Sequence, residues 1–361
     1  KRLRVRYRVD GVLREGPAPP LRLTAPMISR LKISSGMSIA EKRTPQDGRY
    51  KQVIDDRVID FRVSCLPTLY GESMVMRILD KSQLNLGLSE LGFMREDQQI
   101  FERCAQMPDG IMLVTGPTGS GKTTTLYSCL NLLNTPNKKI ITVEDPIEYI
   151  LGGINQVQVN VLAGMTFAKA LRAMLRQGPD IIMVGEIRDE ETGHIAVNAS
   201  LTGHFVFSTL HTNDAPGAVN RLVDMGIKPF LVAAGVRAIL AQRLVRKFCK
   251  KCQTPHILTE GERKALNLKE EDLKDARTMI GAGCRQCEGN GYKGRMGLFE
   301  VLELEDQMKR LIIRHAPVAE LKEYALEHGL MKTLRADGVR KVINGTTSVS
   351  EVVRVTSTDE N

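Results

Sequence analysis

Tryptophan is absent, and aromatic residues make up only 4% of the 361 residues. Proteins that hold single-stranded nucleic acid stack bases on aromatic rings set among positive charges. The scarcity of rings argues against such a surface, although the formal net charge is +9. No run approaches the 18 or so apolar residues that a membrane-spanning helix requires. No leader-like segment is visible. Lys1 falls inside what reads as a strand, so the expectation is a piece of a longer protein whose earlier part carries targeting or docking. Seven cysteines is an odd number, unlike the evenly paired framework of a small secreted domain. Cys65, Cys104 and Cys129 stand alone in apolar surroundings and read as small buried hydrophobes.

What is present divides the chain in two. Residues 1–50 carry twelve Lys and Arg against four Asp and Glu, a basic face suited to nucleic acid, anionic lipid or phosphates, or simply solvated. Residues 1–80 read as a small α+β unit. RLRVRYRV alternates as a strand, Asp10-Gly11 signals a hairpin, and LTAPMISRLKISSG reads as a helix ending at Gly36. RYKQVI, DRVIDFRVSCL and SMVMRIL read as antiparallel strands. Residues 81–94 read as a linker. Over 95–361 the pattern becomes α/β with a mostly parallel sheet: the short apolar runs IMLVT, IITVE, DIIMVGE and FVFSTL alternate with amphipathic stretches. Residues 214–247 read as helical, 249–292 as a cysteine-bearing insert, and 300–361 as short helices with a charged tail.

The strand IMLVT is followed by GPTGSGKT and then a helix. This is G-x-x-x-x-G-K-[ST] in its proper context. Gly116, Pro117, Thr118, Gly119, Ser120 and Gly121 form a loop whose backbone N–H groups can turn in on phosphate oxygens, with Thr124 in the helix turn behind it. Lys122 reaches the β- and γ-phosphates, and Thr123 is the magnesium-ligating hydroxyl. ATP and Mg²⁺ are therefore expected. Other strands end in acids, where such folds bind ligands. Glu186 closes DIIMVGE beside the phosphate loop and is the expected water-polarising base. Glu144, Asp145 and Glu148 in VEDPIE are candidates for holding magnesium waters and the attacking water. His204 and His211 flank FVFSTL, and His211 is the candidate γ-phosphate contact.

Cys249-x-x-Cys252 and Cys284-x-x-Cys287 match a four-thiolate structural zinc site with every position filled, so Zn²⁺ is expected. A redox dithiol is the rival for either pair alone. CRQCEGNG also resembles the zinc knuckles of DnaJ-type chaperones in a single copy.

Taken together, GPTGSGKTTTLY, ITVEDPIEY, GINQVQVN, MVGEIRD and TGHFVFSTLHTNDAP resemble the bacterial type II secretion and type IV pilus assembly ATPases, where four of them are the Walker A motif, Asp box, Walker B motif and His box. The resemblance implies an N-terminal PAS-like domain joined to a RecA-like motor domain, working as a homohexamer. It implies that Arg62 and Arg77 approach the phosphates. It implies a cytoplasmic protein, peripheral at the inner membrane, that docks on a polytopic platform protein and cytoplasmic components and powers pilin or pseudopilin assembly. In the resembling family a cysteine insert of this kind marks assembly and secretion rather than retraction, so the resemblance implies assembly work. Gly178 and His194 depart from the usual pattern outside the motifs. A nucleic-acid-translocating P-loop motor is the alternative, and a zinc interaction module with a degenerate nucleotide site is a third reading.

Overall fold

The computed structural model describes residues 3–79 and 87–357. The chain clusters into two compact units, residues 1–84 and 85–361. Of the 81–94 linker, residues 81–86 lie outside the described residues, and Leu88–Leu91 forms one helical turn.

In the first unit, β1 (Arg6–Val9) and β2 (Val12–Glu15) pair antiparallel. Their turn places Asp10 and Gly11 at φ 49° and 84°, the left-handed pair that two-residue hairpins favour. A helix over Thr24–Ser34 leads to β3 (Gln46–Ile54), β4 (Arg57–Thr68) and β5 (Gly71–Leu79), an antiparallel sheet in that order. Met37, Phe61, Val63 and Cys65 form its small core, with Tyr50 stacked on Phe61. Register puts Arg49, Arg62 and Arg77 directly opposite one another across the three strands.

The second unit is built on a seven-stranded sheet. Its strands are β6 (Gly110–Thr115), β7 (Ile140–Glu144), β8 (Asn155–Gln158), β9 (Ile181–Val184), β10 (Phe205–Leu210), β11 (Val236–Phe248) and β14 (Tyr292–Glu303). The order is β14-β11-β6-β10-β9-β7-β8. All neighbours are parallel except β14, which runs antiparallel to β11. Every residue of β6, β7, β9 and β10 is buried, as expected of strands covered on both faces. Ile111, Leu113, Val143, Val184, Val206 and Ile239 share one core cluster. This is the α/β architecture that the alternating runs predict.

Two sequence expectations need correction. Residues 214–247 are not helical throughout. Helices over Ala215–Asp224 and Pro229–Gly235 give way to β11, whose first half is clasped between β6 and β14. Burial on both faces leaves no period of two to read, so the run VRAILAQRLV imitates a buried helix. Similarly, β14 occupies 292–303, so residues 300–303, expected to begin a run of short helices, instead end a strand. Between β11 and β14 lie a two-stranded ladder of β12 (Gln253–Pro255) and β13 (Met279–Gly281) and a short helix over Glu260–Ala265.

Candidate nucleotide site and thiol cluster

The glycine loop leaves the C-terminal end of β6 and enters the helix Lys122–Leu133. Gly116 and Gly121 are required by close approach. A Cβ on Gly116 would stand 2.5 Å from the Gln242 carbonyl oxygen, and one on Gly121 would stand 2.8 Å from Gln242 Nε2. Both glycines also have positive φ. Pro117, Thr118, Gly119 and Thr123 are exposed, Thr124 is half-buried, and Ser120 is buried. The Ser120 hydroxyl has no hydrogen-bond partner. Lys122 turns back on its own loop, donating to the carbonyls of Gly116 (2.7 Å) and Pro117 (3.1 Å). A glycine loop with exposed residues, an unpartnered buried hydroxyl and a lysine ammonium at a helix N-terminus fit a polyphosphate.

Burial pushes the Lys122 ammonium down to about 8; Glu186 opposes this and Arg243 adds to it. Lys122, Glu186 and Arg243 thus share one electrostatic neighbourhood. Glu186 follows β9, and β10 lies between β9 and β6. It therefore addresses Lys122 across a strand rather than from the adjacent one. Its carboxylate pairs with Arg188 at 2.5 Å and lies 3.3 Å from His211 Nε2. Arg188 is held further in its charged form by Glu186 and Asp145, which draws the exposed Asp145 into the same group. The Thr115 hydroxyl meets that of Thr212 at 2.7 Å and accepts from the Thr212 N–H at 2.8 Å, tying β6 to the loop after β10.

Glu144, at the end of β7, is turned inward. It is 4% exposed and accepts from the hydroxyls of Tyr127 and Thr142 (2.6 Å) and from Gln156 Nε2 (3.1 Å). Burial and this carboxylate push the Tyr127 hydroxyl well above its usual range, while backbone bonds from Tyr149 and Glu148 oppose the shift. Glu148 itself is half-buried. His204 immediately precedes β10, at the end of the strand away from the loop, with its ring Nδ1 3.2 Å from the Ala199 carbonyl oxygen. It is not brought to the site.

Residues the motifs did not flag complete the surroundings. Thr125 donates to Gln242 Oε1 at 2.8 Å, and Arg243 donates to the Asn213 backbone oxygen at 2.9 Å. A polar Gln-Arg pair inside an otherwise apolar run was the available signal.

The four cysteines Cys249, Cys252, Cys284 and Cys287 have their sulfurs within 4.8 Å of one another. Sulfur separations are 3.9 Å (Cys249–Cys284), 3.7 Å (Cys252–Cys287) and 3.7 Å (Cys284–Cys287). Tetrahedral zinc at about 2.3 Å from each thiolate sets sulfurs about 3.8 Å apart, so the cluster fits that ion. The separations are far longer than a disulfide. Burial opposes ionisation of Cys287, but N–H groups of Cys284 and Gly291 and the neighbouring thiols outweigh it and draw the thiol down to about 6.

Residues 1–354 match the model of a family described as Type II/IV secretion system protein. The chain is 51% identical to Type II secretion system protein E of Pseudomonas aeruginosa, covering 99% of this chain and 70% of that relative. It is 50% identical to the type IV pilus assembly ATPase PilB of Myxococcus xanthus, covering 99% of this chain and 64% of the relative. In fold it is similar to the Legionella pneumophila ATPase DotB, with TM-score 0.71 and 20% identity over 98% of this chain and 91% of that one. The pilus retraction motor PilT is also similar, with TM-score 0.66 and 24% identity over 97% and 89%. A RecA-like fold is common to these. The chain belongs to the type II/IV secretion system protein family, among relatives named as secretion and pilus assembly ATPases.

Proposed function

We propose that this chain is the ATP-hydrolysing motor of a type II secretion or type IV pilus assembly machine. The observation that carries the reading is the convergence of Lys122, Glu186 and His211 from the ends of three neighbouring strands on one glycine loop. The loop N–H groups, with Ser120, hold the phosphates, and Lys122 leaves its own carbonyls for the β- and γ-phosphate oxygens. Glu186 orients a water and accepts its proton as the oxygen attacks the γ-phosphorus, and ADP departs. His211, within reach of Glu186, contacts the γ-phosphate. Thr123 would hold magnesium, with Asp145 and Glu148 toward its waters, and the ion would supply charge neutralisation. Glu144, its oxygens taken up by three donors, shapes the end of β7 instead. Arg62 and Arg77 are read as further phosphate-contacting groups.

The first unit is read as PAS-like on the support of its hairpin, helix and antiparallel sheet, and the four thiols as a zinc site. The chain is read as a homohexamer at the cytoplasmic face of the inner membrane, docked on a polytopic platform protein and pushing pilin or pseudopilin subunits; the relatives' names support the secretion and pilus assembly part of that reading. Glu186→Gln should abolish ATP turnover while nucleotide binding persists. Unchanged turnover would remove Glu186 from the chemistry.

A further inference from the structure

Ala241 of β11 is the last residue paired with β6, opposite Thr115. The next two residues therefore run beside the phosphate loop, one on each face. Gln242 lies under it, as described. Arg243 lies on the other face, only 6% exposed. Its guanidinium donates to the Gln242 carbonyl at 3.3 Å, and to the backbone and side-chain oxygens of Asn213 at 2.9 and 3.3 Å. One guanidinium nitrogen sits 3.3 Å from where a Gly116 Cβ would be. Asn213 belongs to the loop after β10 that carries His211, whose ring faces Glu186. A continuous path therefore runs from Gly116 through Arg243 and Asn213 to His211 and Glu186. Buried guanidinium forks are chosen where planar, multiple contacts must be kept in register, and lysine cannot replace them. The Arg243 charge also weighs on Lys122.

We infer that Arg243 is a positioning residue that fixes the phosphate loop relative to the His211–Asp214 loop, so that a phosphate seated on one loop sets the other for attack. The inference rests on the proposed ATPase reading. A merely structural role predicts lower thermal stability and nothing else; a positioning role predicts a split in the kinetics.

The test uses the full chain with Arg243→Lys, Arg243→Gln and Asn213→Ala, Asn213 being exposed. Affinity for ATP would be measured across about pH 6.5 to 9.5, together with kcat, KM and Tm. Arg243→Lys should keep nucleotide affinity and lose about tenfold or more in kcat. Asn213→Ala should lose kcat in the same sense but less. Arg243→Gln should move the pH at which binding weakens upward, because Lys122 sheds a repelling neighbour. If kcat and the pH midpoint stay put in all three while only Tm falls, Arg243 is structural and the inference is overturned. A wild-type chain that binds no nucleotide would instead sink the ATPase reading itself.

Discussion

The hairpin β11–β14 passes the nucleotide loop midway along β11 and ends at the four thiols, and the two regions are held by different means. Beside the loop, β11 is locked against β6, every residue of which is buried, and its polar groups are spent on the Thr125 hydroxyl and the Asn213 backbone oxygen. Beyond Phe248 the insert contributes few buried apolar side chains, chiefly Leu258 and Leu266 against Val342, Val349 and Val352. Its strands are three residues each. A segment with so little core holds its shape through cross-links. One region thus draws order from the sheet, and the other has four clustered sulfurs where the sheet ends.

Metal removal should sharpen this contrast most visibly. The purified protein should carry about one zinc per chain, and structural zinc is worth about 10 kcal/mol or more to small metal-folded units. Chelation should raise hydrogen exchange throughout 249–291 while β6, β9 and β10 stay protected. Exchange spreading into those strands would mean that the sheet also depends on the cluster.

A smaller effect is expected where β11 leaves the sheet. There Glu351 is 1% exposed. It accepts from the Arg246 N–H and guanidinium, both at 2.9 Å, and from Arg354 at 2.8 Å. Burial disfavours the carboxylate, but Arg354 and Arg246 overcome it and hold it down to about 2 from 4.5. A depressed carboxylate stabilises the fold above its unfolded value. That contribution, roughly 3 kcal/mol, is lost as the pH falls from 4.5 through 2. Glu351→Ala, which leaves Arg246 without its carboxylate, should cost about 3–5 kcal/mol in a denaturant melt at neutral pH. A loss below 1 kcal/mol or so would show this junction to be wet and weak.

The same contrast explains what the sequence could convey. The glycine loop, Glu186, His211 and the cysteine pairs were legible because their chemistry demands given residue types at given spacings, and the apolar runs of β6, β7, β9 and β10 were legible because turns bound them. Arg243 was not, because β11 is buried on both faces and its run has no period. Glu144 was legible as an acid at a strand end, but its inward turn depends on Tyr127 and Gln156, which no motif couples to it. Glu351 and Arg246 lie far apart in the chain, and only the folded sheet brings them together.

The mildest test concerns the loop end alone. Burial holds the Lys122 ammonium down to about 8 from 10.5, with Arg243 assisting and Glu186 opposing. Below that pH the amine is already charged and ready for an anion. Above it the free protein holds a neutral amine, and seating a triphosphate restores the charge, so binding must take up a proton. Affinity should then be flat near pH 7 and fall by up to about tenfold per pH unit above pH 8, until the bound-state value is reached. Calorimetric titration at about pH 9 in two buffers of different ionisation heat should register uptake approaching one proton. The chelated protein should register the same uptake if the two regions are independent. Absence of uptake in the intact protein would mean that Lys122 stays on its own carbonyls when nucleotide binds; uptake lost only on chelation would mean that the hairpin transmits the state of the thiols to the loop.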